Sequence, residues 1–116
     1  MTIEARVFAA LQHLAGARIF PDVAPADTPP PYITYQAVGG APLNFLTGEK
    51  PGKTNTRMQV SVWAATRLEA SEIGAQVEDA MRAAVDLQPE VASGRASNYD
   101  ELTTYRGTMQ DFSLWL

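Results

Sequence analysis

Ile3, Val7, Ala10, Leu11 and Leu14 recur at the spacing of helical turns and draw one apolar stripe along the start of the chain. That stripe predicts a first helix. Thr2 is placed to cap its start, and Gly16 to end it in the left-handed conformation that glycine adopts at little cost. "RIF" at 18–20 reads as a short extended piece. The following "PDVAPADTPPP", residues 21–31, is too rich in proline for a helix or a central strand and must run over the surface. "YITYQAV" (32–38) alternates and is rich in aromatic and β-branched residues, which predicts a strand. "RMQVSVWA" (57–64) alternates more cleanly, with Met58, Val60 and Val62 on one face and Arg57, Gln59, Ser61 and Trp63 on the other. It reads as a half-buried strand.

"TRLE" (66–69) is a capping box, in which Thr66 bonds the amide of Glu69 and Glu69 reaches back to the amide of Thr66. Ala70, Ile73, Val77, Ala80, Met81 and Ala84 then line one face of a second helix, and its alanines let it sit close to a sheet. A weak strand is expected around 91–97, beyond Pro89. The last stretch sets Gln110, Phe112, Leu114 and Leu116 toward the helices. Met109, Asp111, Ser113 and Trp115 take the opposite side, and Gly107 interrupts the pattern as a bulge would. The economical solution is one α+β domain over 1–116: a largely antiparallel sheet of about four to five strands, two helices packed on one face, and a long loop between the second and third strands.

Composition narrows the chemistry. A net charge of −4 argues against gripping nucleic acid by the surface, which needs clustered cations. The absence of cysteine removes disulfides, thiolate metal sites and a cysteine nucleophile. "MTIEARVFAALQHLAG" makes a poor signal peptide, because it is apolar on one side only and carries Glu4 and Arg6. No apolar run approaches the length of a membrane span, so the expectation is a soluble, intracellular chain without membrane contact.

"GEKPGKT" (48–54) resembles a phosphate loop but fails its glycine spacing and leads into a strand, whereas that motif must open a helix. His13 is the sole histidine, with no convergent partners for a metal or a proton-transfer role. No Ser-His-acid set and no "GxSxG" is present. Tyr99, Asp100, Arg106 and Asp111 form the one dense cluster of polar chemistry, and they define an alternative reading as a small enzyme or ligand-binding domain. The bland reading is a decorated strand turn. The expectation is no catalysis and no cofactor.

The loop at 39–56 is long for a compact domain. It carries Leu43, Phe45 and Leu46, together with Lys50 and Lys53, the only lysines in the chain. Either its apolar tip folds back on its own sheet or it is an arm that orders against another protein, with the apolar residues as anchors.

Taken in order, "ARIFP", "PPYITYQ", "MQVSVWA" running into "TRLEASEIGAQVEDAMRAA", and "YDELTTYRGTMQDFSLW" resemble the tail-completion proteins of long-tailed bacteriophages and prophages. The resemblance spans nearly the whole chain and is weakest in the 39–56 loop. It implies structural work: a head–tail joining, tail-terminator-like subunit that finishes the head-proximal end of the tail tube. The implied partners are further copies of itself in a hexameric ring, the tail-tube protein and the head connector or stopper protein, with DNA passing through the centre. Assembly would take place in the host bacterial cytoplasm, and the product would reside in the virion tail. The interface candidates are Leu43, Phe45, Leu46, Lys50 and Lys53 of the arm, with Asp111 and Trp115 on the outer side of the last strand. The arm's lysines, with Arg57, suit acidic partner surface or passing DNA.

Overall fold

Two ten-residue strands with the same alternation form the centre of the sheet. A computed structural model describes residues 1–116. Its elements are α1 (Ile3–Leu11), β1 (Ile19–Pro21), β2 (Tyr32–Ala37), β3 (Asn55–Ala64), α2 (Arg67–Ala83), β4 (Glu90–Val91), β5 (Ala96–Tyr99) and β6 (Arg106–Trp115). β3 and β6 pair antiparallel along their full length, from Asn55 opposite Trp115 to Ala64 opposite Arg106. β2 flanks β3 on the other side, with Ile33 opposite Val62 and Tyr35 opposite Val60. The order is β1-β2-β3-β6, and β4 and β5 share the remaining edge of β6.

The architecture is α+β, as the periodicities predict, with two differences in the sheet. It has six strands rather than four to five, and β1 runs parallel to β2. The proline-rich segment makes this possible by carrying the chain back to the start of the sheet. The Ile33 amide then donates to the Arg18 carbonyl, and the Asp22 amide to the Tyr35 carbonyl. The weak strand expected at 91–97 is split in two. Between its halves the Ala92 amide donates to the Asp111 carbonyl, and Ser93 Oγ accepts from the Asp111 amide at 3.0 Å. A side chain there replaces one rung of the ladder.

One parity of each central strand enters a single apolar cluster. Ile33, Met58, Val60, Val62, Phe112 and Leu114 meet Val7 and Leu11 of α1 and Ile73, Val77 and Met81 of α2. Both helices therefore feed the same core, and the other parity forms a sheet face that no helix covers. Thr66 caps α2 by accepting from the Glu69 amide at 3.2 Å. The return bond from Glu69 is not made, so only half of the capping box forms.

α1 is shorter than the apolar stripe. It ends at Leu11, and Leu14 stays in the core from outside the helix. Ala15, Gly16 and Ala17 all take positive φ, at 48°, 61° and 64°. Gly16 thus adopts the conformation expected of it, but in the middle of a left-handed turn that leads into β1. Gly107 is not a bulge, since the β3–β6 register runs through it unbroken. Its neighbour explains the glycine: a Cβ there would lie 2.7 Å from Trp63 Cε3 and 2.8 Å from the Val62 carbonyl oxygen. The indole of Trp63 needs the bare backbone beneath it.

Glu78 of α2 ties the helix to the sheet. Its carboxylate accepts from Gln110 Nε2 at 2.9 Å and from Arg82 Nε at 3.1 Å, with Arg95 at 3.5 Å. The Gln110 bond, then Arg82, holds its pKa below the ordinary carboxylate value. A depressed pKa contributes stability above the unfolded value, and that stability is lost as pH falls through the folded value. Glu78→Gln should therefore lower the urea midpoint at neutral pH, and the gap from wild type should close on acidification. The effect is small, because the Glu78 side chain is 29% exposed and screened.

Candidate functional site

Residues 36–50 are all exposed, and they leave the sheet between β2 and β3 as an arm. The long axis of the molecule is 52 Å against 25 Å for the other two. Its radius of gyration is 15.0 Å, above the value of about 13 Å for a compact domain of this length. The exposure of the loop and the elongated shape of the molecule agree with a projecting arm.

The root of the arm is fixed by backbone bonds. The Val38 amide donates to the Arg57 carbonyl and the Arg57 amide to the Gly39 carbonyl, while Thr54 and Leu116 exchange both of theirs. Asn55 is the pivot. Its Oδ1 accepts from the Ala41 amide at 2.8 Å, and its Nδ2 donates to Ser113 Oγ at 2.8 Å and the Leu114 carbonyl at 3.1 Å. Gly40 passes so close to this residue, at φ 151°, that a Cβ would stand 2.3 Å from the Asn55 carbonyl oxygen. Only glycine permits that approach.

At the tip, the Gly48 amide closes a turn on the Phe45 carbonyl at 3.0 Å. Leu43, Phe45 and Leu46 are 43%, 50% and 110% exposed. Single exposed apolar residues are ordinary, but three within four positions at the tip of a loop form an exposed apolar patch outside the core cluster. Lys50 and Lys53 lie on the returning leg, and neither forms an ion pair. The "GEKPGKT" stretch falls within this arm and opens no helix.

Asp111 and Trp115 both lie on the uncovered face of the sheet, but they are differently disposed. Trp115 is half-buried near the arm root, opposite Asn55. Asp111 is already engaged inside the chain. Arg57 Nε donates to its Oδ2 at 2.7 Å and Gln59 Nε2 to its Oδ1 at 3.2 Å, leaving the side chain 12% exposed. Its charge serves cross-strand pairing more than an outward contact.

Tyr99, Asp100, Arg106 and Asp111 do not converge. Arg106 stacks over the Tyr99 ring at 4.3 Å and donates to the Thr104 carbonyl at 2.9 Å. Asp100 accepts from the Leu102 amide at 3.0 Å, which shapes the turn between β5 and β6. Asp111 lies five residues along β6 from Arg106 and on the other face, about 17 Å away. The cluster is hairpin construction. His13 is exposed, and no three His, Asp or Glu side chains gather as metal ligands.

A feature that reading along the chain missed lies at the opposite end of the sheet. A concavity of about 370 Å³ is floored by Tyr32, Trp63 and Tyr105 and rimmed by Asp22 and Asp27 of the proline-rich segment. Tyr32 and Tyr105 pack edge to face with ring centres 6.3 Å apart. Burial first, then the nearby Tyr105 and Asp100, raises the Tyr32 pKa and keeps its hydroxyl protonated. Three distant segments build this hollow, so no local motif signals it.

A family model described as tail completion protein gp17 matches residues 5–116. Comparison with curated proteins gives no match.

Proposed function

Because the chain belongs to the tail completion protein gp17 family and acts in phage tail assembly, we propose that it closes the head-proximal end of the tail tube and joins it to the head connector. It does so as a ring of identical subunits, six in number, seated on the tail-tube protein. DNA passes through the centre of that ring. Assembly takes place in the host cytoplasm, and the subunit leaves in the virion tail.

The observation that carries this reading is the projecting arm. Its root is pinned by glycine and asparagine, and its apolar tip is exposed and lies outside the core cluster. An isolated domain gains nothing from such a tip, whereas a subunit of an assembly gains an anchor. The net charge of −4 suits a lumen that DNA slides past, since strong phosphate contacts would hold it. The alternative reading, a small enzyme or ligand-binding domain built on Tyr99, Asp100, Arg106 and Asp111, lacks the convergence of those four side chains that it requires.

Incubating the purified chain with isolated tail tubes tests this. Electron microscopy should show added density at one end of each tube, and averaging should show six-fold symmetry. Density along the tube length, or none at either end, would contradict the reading. Dilute protein that runs as a monomer would not, because a ring can require the tube to close.

A further inference from the structure

We propose that the aromatic hollow at one end of the sheet receives the arm of a second copy of this chain, its apolar tip entering between Tyr32, Trp63 and Tyr105 while Lys50 and Lys53 meet Asp22 and Asp27. The inference rests on the self-assembly just described and assigns the contact that builds it.

Charge complementarity supports the choice of occupant. The two lysines on the arm are the only ones in the chain, and they form no internal ion pair. Asp22 and Asp27 at the rim of the hollow are exposed and likewise unpaired. Asp100, which after burial and Tyr105 is a lesser cause of the raised Tyr32 pKa, adds to the negative charge there. Shape agrees as well. The floor is aromatic, the rim sets Asp22 and Asp27 around the apolar run Val23 to Ala26, and the volume of about 370 Å³ suits an apolar side chain with a cation beside it.

Position makes the contact intermolecular. The arm leaves the sheet where Ala37 pairs with Met58, and the hollow lies where Tyr32 pairs with Trp63. Five residues of extended strand separate these points, about 17 Å. No residue of the arm lines the hollow of its own chain, which stays open to a second copy. Donor and acceptor on different surfaces define a heterologous, head-to-tail interface, and repetition of such an interface closes into a ring when the rotation allows.

The absence of cysteine makes a direct test possible. Thr47→Cys at the arm tip and Ala26→Cys at the rim place one thiol on each surface and leave all the charges intact. The double variant is mixed with tail tubes and treated with a mild oxidant. It should give a ladder of disulfide-linked multimers. A control chain carrying Thr47→Cys with Glu72→Cys, on the helix side of the sheet, should not. Equal cross-linking in the two chains, or none in either, would overturn the assignment.

Charge reversal supplies the second arm of the test. Lys50→Glu with Lys53→Glu, and separately Asp22→Lys with Asp27→Lys, should each abolish ring formation on tubes, and the four changes in one chain should restore it. If the four-fold variant does no better than either pair, the hollow does not seat the arm. If rim variants block tail completion while no cross-links form between copies, the occupant is another tail component and the proposal fails. In either case wild-type rings at tube ends would leave the proposed function standing. Failure of the wild-type chain to bind tube ends would remove that function instead.

Discussion

Replacing Leu43, Phe45 and Leu46 together with serine should leave the domain folded and abolish tail joining. None of the three belongs to the core cluster, and all are exposed in the isolated chain. Surface changes of this kind alter stability by about 0.5 kcal/mol or less each. Their cost appears only in the assembly. A buried interface anchor contributes about 2 kcal/mol or more when truncated, roughly a thirtyfold change in affinity. Removing three from one small patch should exceed what a ring can tolerate, even though such effects do not simply add. Urea unfolding should match wild type while infectious joined particles are lost. Joined particles at wild-type yield would refute the arm as an anchor.

Phe112→Ala should act in the opposite sense, on the fold itself. Phe112 is fully buried, pairs across the sheet with Met58, and has Val91 on its other side. Truncating such a ring in a core costs about 3–5 kcal/mol. A domain of this size has a total stability of about 5–15 kcal/mol. The variant should therefore show a large drop in its urea midpoint and a substantial unfolded population at physiological temperature. A shift equivalent to less than about 1 kcal/mol would mean that the β3–β6 core is not where the stability lies.

The contrast between these two variants follows from what could be read along the chain. β3, α2 and β6 announce themselves, because each carries its own period over many residues and each feeds one cluster. The long exposed loop was legible for a similar reason, since apolar residues and the only lysines sit in a stretch too long for a turn. Where it points was not, because that depends on Gly40 passing against Asn55.

Features that depend on distant partners stayed hidden. Gly107 looks like a bulge until Trp63 is placed opposite it. Asp111 looks like an outward charge until Arg57 and Gln59 arrive from the neighbouring strand. The left-handed turn at 15–17 uses two alanines where propensity would name only glycine. β1 pairs in parallel across a proline-rich return whose composition suggests only a surface path. The hollow needs residues 22–28, 32, 34, 63, 103 and 105 together, so it appears only once the sheet is assembled.

The role proposed for this chain is to finish the tail and join it to the head. The most direct measurement is complementation of a phage lysate lacking only this chain. The expected starting state is filled heads and separate tails, and adding the purified protein should convert them into joined, infectious particles. Joined particles in the untreated lysate, or no gain in infectivity on addition of the folded protein, would contradict it.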